Sequence, residues 1–373
     1  MHFGDPSGEQ WALEGGRGLV DRGDLRVVEV RGPDRQAWLT SITSQVITGM
    51  GPGDARELLV LDPQGHIEHA AAVADDGTAT FLTTEGDRAQ ALAEWLDSMR
   101  FALRVEVAVR GDLTVFGTVT PRPAPAGGGG TGVWPGWLLT WDDPWPGVAE
   151  GGTAYFRGRH PGAGLQAHLH LVRRERAGDF AAAWLGGAGA PEEAGRRRPA
   201  GLLAWEAVRV AAWRPRIGRE ADARAIPAEL DWLRTAVHID KGCYRGQESV
   251  ARVLNLGRPP RRLVFLQLDG SMGEIPRAGA RLERGGRQVG VVTSVARHAE
   301  MGPIALALVA RAVPADVVFD IDGVAASQEL IVPIEGRAQD SPAQRPGVGL
   351  SNPALRRPDV PGAGGSSGLG SAR

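Results

Sequence analysis

The residues best suited to chemistry lie in one short run that holds the only lysine and the only cysteine of the chain. The run reads Lys241-Gly242-Cys243-Tyr244-Arg245-Gly246-Gln247-Glu248 and continues to Ala251-Arg252. A cation next to a cysteine favours the thiolate, which is the nucleophilic form of the thiol. The two glycines let the backbone turn tightly or approach a ligand closely. The run predicts a reactive Cys243 with Lys241 beside it; a buried cysteine in a tight turn is the structural alternative.

A second group of candidate residues lies on residues 202–213, which are apolar on most sides and predict a helix. Glu206 and Arg209 are three positions apart and therefore share one face of this helix. Burying unpaired charges on so apolar a helix is strongly unfavourable. We therefore expect Glu206 and Arg209 to pair with other charges or to contact a ligand.

The overall composition is typical of a globular protein and excludes several classes of function. The formal net charge of −2 provides no basic field for generic nucleic-acid binding. One cysteine excludes an internal disulfide framework. The N-terminal residues lack the features of a signal peptide, and no stretch approaches the roughly 18 apolar residues of a membrane span. No third ligand at metal spacing accompanies His168 and His170, so no metal site is predicted. We expect a cytoplasmic protein that does not contact a membrane.

The order of the predicted elements indicates an α+β fold. A strand at residues 25–30 precedes a helix that starts near Pro33 and Asp34. Strands at 57–61, 67–73 and 78–83 precede an amphipathic helix at 87–99. From residue 261 the pattern changes to short strands, several of them separated by turn glycines, which predicts a small β-barrel.

Two stretches are too rich in small and turn-forming residues to pack. Residues 121–132 contain closely spaced prolines and then four glycines, which predicts a flexible surface loop. Beyond Glu335 the chain is rich in Ser, Pro, Gly and Arg, and we expect residues 336–373 to be disordered. The tryptophans at 134, 137, 141 and 145 are interpreted as covering a loop-rich edge.

The run at 241–248 resembles the signature of the YgfZ-type folate-binding proteins, which are relatives of the glycine-cleavage T-protein (aminomethyltransferase). The segment Val289-Gly290-Val291-Val292-Thr293-Ser294 similarly resembles part of the T-protein C-terminal barrel. The resemblance implies two α+β domains and a C-terminal β-barrel around a central cleft that binds tetrahydrofolate. It implies a discontinuous folate-binding domain (17–52 with 146–256), a second α+β domain (53–145) and a barrel (257–335).

The resemblance also implies roles for individual residues. Cys243 becomes the functional thiol with Lys241 beside it, and Trp205 becomes an aromatic surface for the flat ring of the folate. Glu206 becomes an acceptor for ring N–H groups, while Arg209 and Arg252 become candidates for the carboxylates of the ligand. The remaining members of the predicted folate-binding set are Tyr244, Gln247 and Glu248. Leu25 occupies the approximate place of a second family tryptophan.

Three functions remain open from the sequence. The first is a tetrahydrofolate-binding protein that supports assembly or repair of iron–sulfur proteins through Cys243, with those proteins or their assembly machinery as partners. The second is a folate-dependent aminomethyl or one-carbon transferase, which requires a general acid or base near N5 of the folate. The third is a non-catalytic scaffold. The carboxylates that line the pocket distinguish the first two.

Overall fold

The computed structural model describes residues 1–119, 134–187, 195–271 and 273–343, and across these ranges the chain forms six α-helices and sixteen strands. The helices are α1 (Pro6–Glu14), α2 (Arg35–Ile42), α3 (Ala89–Met99), α4 (Ala177–Leu185), α5 (Leu202–Ala211) and α6 (Gln247–Asn255). Short 3-10 helices occur at Pro161–Gly164, Arg174–Arg176, Pro227–Leu230 and Trp232–Arg234. The predicted loop at 121–132 and residues 344–373 of the predicted tail lie outside the described ranges.

The strands occur in two groups along the chain, those before residue 261 and those of the C-terminal barrel after it. They are β1 (Gly18–Asp21), β2 (Leu25–Arg31), β3 (Ala55–Leu61), β4 (Ile67–Asp75), β5 (Ala79–Glu85), β6 (Glu106–Val109), β7 (Leu113–Val119), β8 (Trp137–Asp142), β9 (Ala167–Arg173), β10 (Arg198–Ala200), β11 (Arg261–Leu268), β12 (Arg281–Arg284), β13 (Arg287–His298), β14 (Gly302–Ala310), β15 (Phe319–Ile321) and β16 (Val324–Leu330).

Three sheets organise these strands. One five-stranded sheet has the order β10-β1-β7-β9-β8, and the other has the order β3-β4-β5-β2-β6. The C-terminal strands form a six-stranded sheet in the order β12-β13-β14-β11-β16-β15, which is nearly closed into a barrel. The predicted α+β fold with a C-terminal barrel is therefore confirmed. Within the described ranges no helix combines the length and apolarity that a bilayer span requires.

The sheets group the chain differently from the domain limits expected from the resemblance. Strand β2 lies inside the segment 17–52 but pairs with β5 and β6. Strands β7 and β8 lie inside the segment 53–145 but pair with β9. The strands of the two five-stranded sheets are therefore interleaved along the sequence. The domain limits themselves stay a prediction.

The sheet that contains β2 and β5 has a hydrophobic core of its own, and so does the barrel. Both cores are formed by the apolar faces of amphipathic elements. Helix α3 buries Ala89, Leu92, Ala93 and Leu96, which share one face at helical spacing. This face packs with Val28 and Leu82 of the sheet that contains β2 and β5. A separate cluster of buried residues, including Val264, Leu266 and Phe319, fills the barrel.

Several elements differ from the sequence prediction. Helix α1, strand β8 and helix α6 were not predicted, because each is short and surrounded by glycine, proline or charged residues. Residues Met1–Ser341 form the first compact unit, and beyond it the structure describes only residues 342 and 343. Within the first unit Ala338 is fully buried and the Gln339 amide donates to the Ala154 carbonyl at 2.9 Å. Residues 336–341 are therefore packed, in contrast to the predicted disordered tail.

Candidate functional site

A cleft is lined by strands of both five-stranded sheets and by α5. Its walls are largely apolar, with aromatic, aliphatic and small residues: Leu25, Ala70, Ala71, Ala72, Val119, Trp141, Leu165, Ala167, Leu169, Trp205, Val208, Ile217 and Trp232. Three carboxylates, Glu57, Glu85 and Asp143, also line it. The cleft therefore offers flat apolar surface together with a few placed polar groups.

Trp205, on α5, is held in the cleft wall by its neighbours. It is 9 % exposed, and the guanidinium carbon of Arg22 lies 4.7 Å from the centroid of its ring. A Cβ at Gly117 of β7 would lie only 2.6 Å from the ring, so glycine at this position permits the close approach. The indole is thus fixed between a strand and a cation before any ligand binds.

Glu206 pairs with two arginines at the edge of the cleft. Its Oε2 accepts from Arg209 Nη2 at 2.7 Å, and its Oε1 accepts from Arg216 Nη1 at 2.8 Å. Burial works to raise the pKa of Glu206, but the two guanidinium groups outweigh it and lower the pKa to about 2. The expectation that the charges on this helix are paired is confirmed by these contacts.

Arg209 has an acceptor for each of its N–H groups. Besides Glu206, its acceptors are the Arg214 carbonyl at 2.8 Å, Glu220 Oε2 at 3.2 Å and Ser294 Oγ at 2.7 Å. Because Ser294 is on β13, Arg209 connects α5 to the barrel. A guanidinium has five N–H donors, and here all of them are engaged. Arg209 lines the cleft, but it has no donor left over for the carboxylate of a ligand.

A second polar group in the cleft consists of Glu57, Asp143 and Arg214. Arg214 donates from Nη2 to Glu57 Oε1 at 2.6 Å and from Nε to Asp143 Oδ2 at 3.0 Å. All three side chains are at least nine-tenths buried. Burial raises the pKa of Asp143, and the neighbouring Glu57 carboxylate adds to this while Arg214 opposes it. Two carboxylates therefore share one arginine in a region of low polarity.

Lys241 is anchored by backbone carbonyls. Its Nζ donates to the carbonyl oxygens of Thr40 and Thr43 and, at 3.2 Å, to that of Gln45. The same ammonium lies 4.7 Å from the centroid of the Tyr244 ring. Burial lowers the pKa of Lys241 to about 8. The only lysine thus fastens the cysteine run to the segment that follows α2.

The second glycine of the run fits against the turn between β3 and β4. Gly246 has φ +82°, and a Cβ there would lie 2.5 Å from the carbonyl oxygen of Asp62. Arg245 donates to Glu68 at 2.7 Å, which adds an ion pair to the same contact. The run is therefore fixed on two sides, by Lys241 and by Gly246.

Cys243 is exposed, which excludes the alternative of a buried cysteine. Glu248 and Arg252 form an exposed pair at 2.9 Å on α6, where ion pairs add little stability. Tyr244 and Gln247 line a different groove, together with residues of the 239–240 and 250–255 segments. Gln247 also donates to the Lys241 carbonyl at 3.1 Å.

The structure therefore divides the predicted site residues into two groups. Trp205 and Arg209 line the cleft, and Glu206 pairs with residues that do. Among the described residues, those lining the cleft include none from the run at 241–252. The roles predicted for Cys243 and Lys241 and for the folate-binding set stay predictions.

Sequence reasoning missed several residues of the cleft. Trp141 was interpreted as covering a loop-rich edge, yet it lies on β8 and lines the cleft. Its Nε1 donates to the Arg56 carbonyl at 2.7 Å, which orients the ring. The available signal for a strand was the two tryptophans and the threonine in the short run Trp137–Asp142, because aromatic and β-branched residues favour strands. Glu57 and Arg214 are far apart in the chain, so no local sequence pattern predicts that they pair.

Comparison with known proteins matches the C-terminal residues to a family model and shows which solved structure shares the fold. Residues 261–344 match the family of the glycine cleavage T-protein C-terminal barrel domain. An aminomethyltransferase of Streptomyces avermitilis is 27 % identical over 87 % of this chain and 87 % of its own length. A second, from Streptomyces coelicolor, is 33 % identical over 34 % of each chain. A putative chloroplastic transferase of Arabidopsis thaliana is 32 % identical over 26 % of this chain. The match covers only 21 % of that relative's own length.

Among solved structures, the glycine cleavage system aminomethyltransferase T from Bartonella henselae superposes with a TM-score of 0.67. The superposition covers 89 % of this chain and 90 % of that one at 20 % identity. The protein thus has the aminomethyltransferase fold, with two five-stranded sheets, a cleft and a C-terminal barrel.

Proposed function

We propose that the cleft binds a reduced folate and that the protein is a folate-dependent one-carbon transferase of the aminomethyltransferase type. The observation that carries the proposal is the lining of the cleft, which combines Trp141 and Trp205 with the carboxylates Glu57, Glu85 and Asp143. Transfer chemistry at a folate nitrogen requires a general acid or base within reach, and these carboxylates supply candidates. The names of the Streptomyces and Bartonella relatives support the same class of reaction.

The residues present fit a folate. When bound, tetrahydrofolate would accept the one-carbon unit at N5 and N10. Trp205 and Trp141 provide aromatic surface for its flat ring system, and strands β4 and β9 add apolar side chains to the walls of the cleft. Arg22 and Arg216 also line the cleft, and each is paired with carboxylates, Arg22 with Asp24 and Arg216 with Glu206 and Glu85.

Tetrahydrofolate binding, measured by calorimetry on the full chain, tests the proposal. The wild type is expected to bind, and Trp205→Leu is expected to weaken affinity about tenfold, because it keeps an apolar side chain but removes the aromatic plane. Cys243→Ser is the matched control, since its thiol does not line the cleft, and it should bind within about twofold of wild type. Unchanged affinity in Trp205→Leu, or no binding by the wild type, argues against a folate in this cleft.

The transfer reaction needs its own assay. The wild type, mixed with tetrahydrofolate and an aminomethylated carrier protein, is expected to form methylenetetrahydrofolate with release of ammonia and the unloaded carrier. The folate product can be followed chromatographically. Tetrahydrofolate binding without any turnover, even with varied donors, would leave a folate-binding protein and remove the transferase proposal.

A second candidate function has a specific observation in its favour. Cys243 is exposed, and the run that carries it is fixed by Lys241 and Gly246. An exposed thiol on a rigid support suits contact with another protein better than chemistry inside a cleft. We therefore propose, as the second candidate and in line with the YgfZ-type signature, that Cys243 acts on iron–sulfur proteins or their assembly machinery.

This second candidate predicts a separation of functions. In cells that lack the protein, wild type is expected to restore the activity of iron–sulfur enzymes and Cys243→Ser is expected not to. Tetrahydrofolate affinity of the same variant should remain at the wild-type value. Full restoration by Cys243→Ser would exclude a role for the thiol.

A further inference from the structure

We propose that strand β6 is a contact surface for a second copy of this chain, which pairs with it in antiparallel orientation about a two-fold axis at Ala108. The inference is independent of the proposed function, because the described residues that line the cleft include none from β6. Three features support it: the free edge of the strand, the exposed apolar side chains around it and the order of charges along it.

The outer edge of β6 has backbone groups available for a further strand. Strand β6 is the last strand of its sheet, and among the described strands only β2 pairs with it. The Arg110 amide donates to the Val27 carbonyl at 2.9 Å, so the backbone groups of Arg110 point toward β2. Because successive residues of a strand direct these groups to opposite sides, those of Ala108 also point toward β2, whereas those of Val107 and Val109 point to the outer edge. An edge of this kind is a template for pairing with another chain.

Large apolar side chains are exposed on β6 and on the loop that leads into it. Phe101 is 84 % exposed, Leu103 is 43 % exposed and Val109 is 36 % exposed. Exposed apolar side chains beside a free strand edge are typical of a surface that another protein covers. A second chain on this edge would remove apolar area from water in addition to pairing the backbone.

The order of charges along β6 is complementary to itself, which favours a second copy over an unrelated strand. The strand reads Glu106-Val107-Ala108-Val109 and is followed by Arg110. When two copies pair in antiparallel orientation about Ala108, Glu106 lies opposite Arg110 of the second copy. Opposite charges in facing positions stabilise a strand pair, and like charges destabilise it. Glu106 is exposed and has no ion pair among the described residues, so the second copy would supply its counter-ion.

Arg110 can accommodate this further carboxylate. Its Nε and Nη2 donate to Asp112 and its Nη1 donates to Glu29. A guanidinium has five N–H groups, so these contacts leave donors free. The charge pair would mainly fix the register of the two strands, while the backbone bonds and the apolar side chains supply affinity.

The register places Ala108 of the two copies directly opposite each other. Val107 and Val109 carry the outward backbone groups, so Val107 of one copy and Val109 of the other exchange N–H···O bonds. Ala108 then forms a non-hydrogen-bonded pair with its own counterpart, with the Cα atoms about 4.5 Å apart. This separation is within the range that a disulfide bridges, so a cysteine at this position reports on the axis.

Analytical ultracentrifugation of the full chain under reducing conditions, over a series of concentrations, tests the association. The weight-average mass of the wild type is expected to rise with concentration toward that of a dimer. Glu106→Lys is expected to weaken association about tenfold or more, because the symmetric contact then places lysine opposite arginine twice. Glu283→Lys is the matched control: it makes the same charge change at an exposed glutamate of β12, in the barrel, and should associate as the wild type does.

Cross-linking tests the register. In a Cys243→Ser background, Ala108→Cys is expected to form a disulfide-linked dimer about tenfold or more faster than Ala102→Cys, an exposed alanine of the preceding loop that lies away from the axis. A wild type that stays monomeric at every concentration overturns the proposal and leaves the edge to a strand of another protein. Equal association of Glu106→Lys and Glu283→Lys, or equal cross-linking of the two cysteine variants, also overturns it, because the copies then meet elsewhere.

Discussion

Arg209→Met is expected to lower the free energy of unfolding by about 3 kcal/mol, because it removes the counter-ion of a buried carboxylate. The side chain of Glu220 is 0 % exposed and lies 3.2 Å from Arg209 Nη1. Glu206 retains Arg216 after the substitution. The large contribution therefore comes from Glu220, which among the described residues keeps only uncharged donors such as Thr293 Oγ1 and the Arg216 amide.

Arg209→Met is also expected to affect ligand binding in the cleft. Arg209 holds α5, which carries Trp205, to Ser294 of β13. Loss of this connection frees the helix to shift relative to the barrel. Tetrahydrofolate affinity of Arg209→Met should therefore fall, although no direct bond to the ligand is removed.

Urea unfolding measures the stability change, with the midpoint shifted and the slope unchanged. Arg252→Met is the matched control, because Arg252 pairs with Glu248 on an exposed helix face where both side chains are mostly in solvent. Its effect should stay within about 0.5 kcal/mol. Equal effects of the two substitutions would contradict the distinction between a buried and an exposed arginine.

The sequence predicted the parts of the fold that depend on local pattern. The face of α3 and the short strands of the barrel follow from apolar periodicity, which is visible without the structure. The need for Glu206 and Arg209 to find partners followed from one helical face. What the sequence could not supply was the identity of those partners, because Arg216, Glu220 and Ser294 reach the helix only through the tertiary fold.

Which residues form the candidate site was even harder to predict from the sequence. Cys243 and Lys241 stood out by their rarity in the chain, but rarity does not locate them relative to Trp205. Glu57 and Asp143 carry no local sign of burial, and their shared arginine lies on a third segment. A cleft assembled from several strands and one helix thus depends on long-range packing that no single segment encodes.

Gly246→Ala is expected to destabilise the protein by about 2–5 kcal/mol, through two separate effects. Residues other than glycine adopt a φ near +82° only at a cost of about 1–2 kcal/mol. The new methyl group would also lie 2.5 Å from the Asp62 carbonyl oxygen. Because this is a backbone atom within a turn, it cannot move aside without shifting the contact between the cysteine run and β3, at a further cost of about 1–3 kcal/mol.

Gly242→Ala is the control within the same run, since a Cβ there meets nothing within 4 Å and the residue is not among those with positive φ. Its stability should stay within about 0.5 kcal/mol of wild type. The reaction rate of Cys243 with a thiol reagent provides a second measurement. Gly246→Ala is expected to change that rate because it displaces the support of the thiol. If the two alanine variants unfold alike, Gly246 does not fix the run against the turn, and the rigid presentation of Cys243 loses its basis.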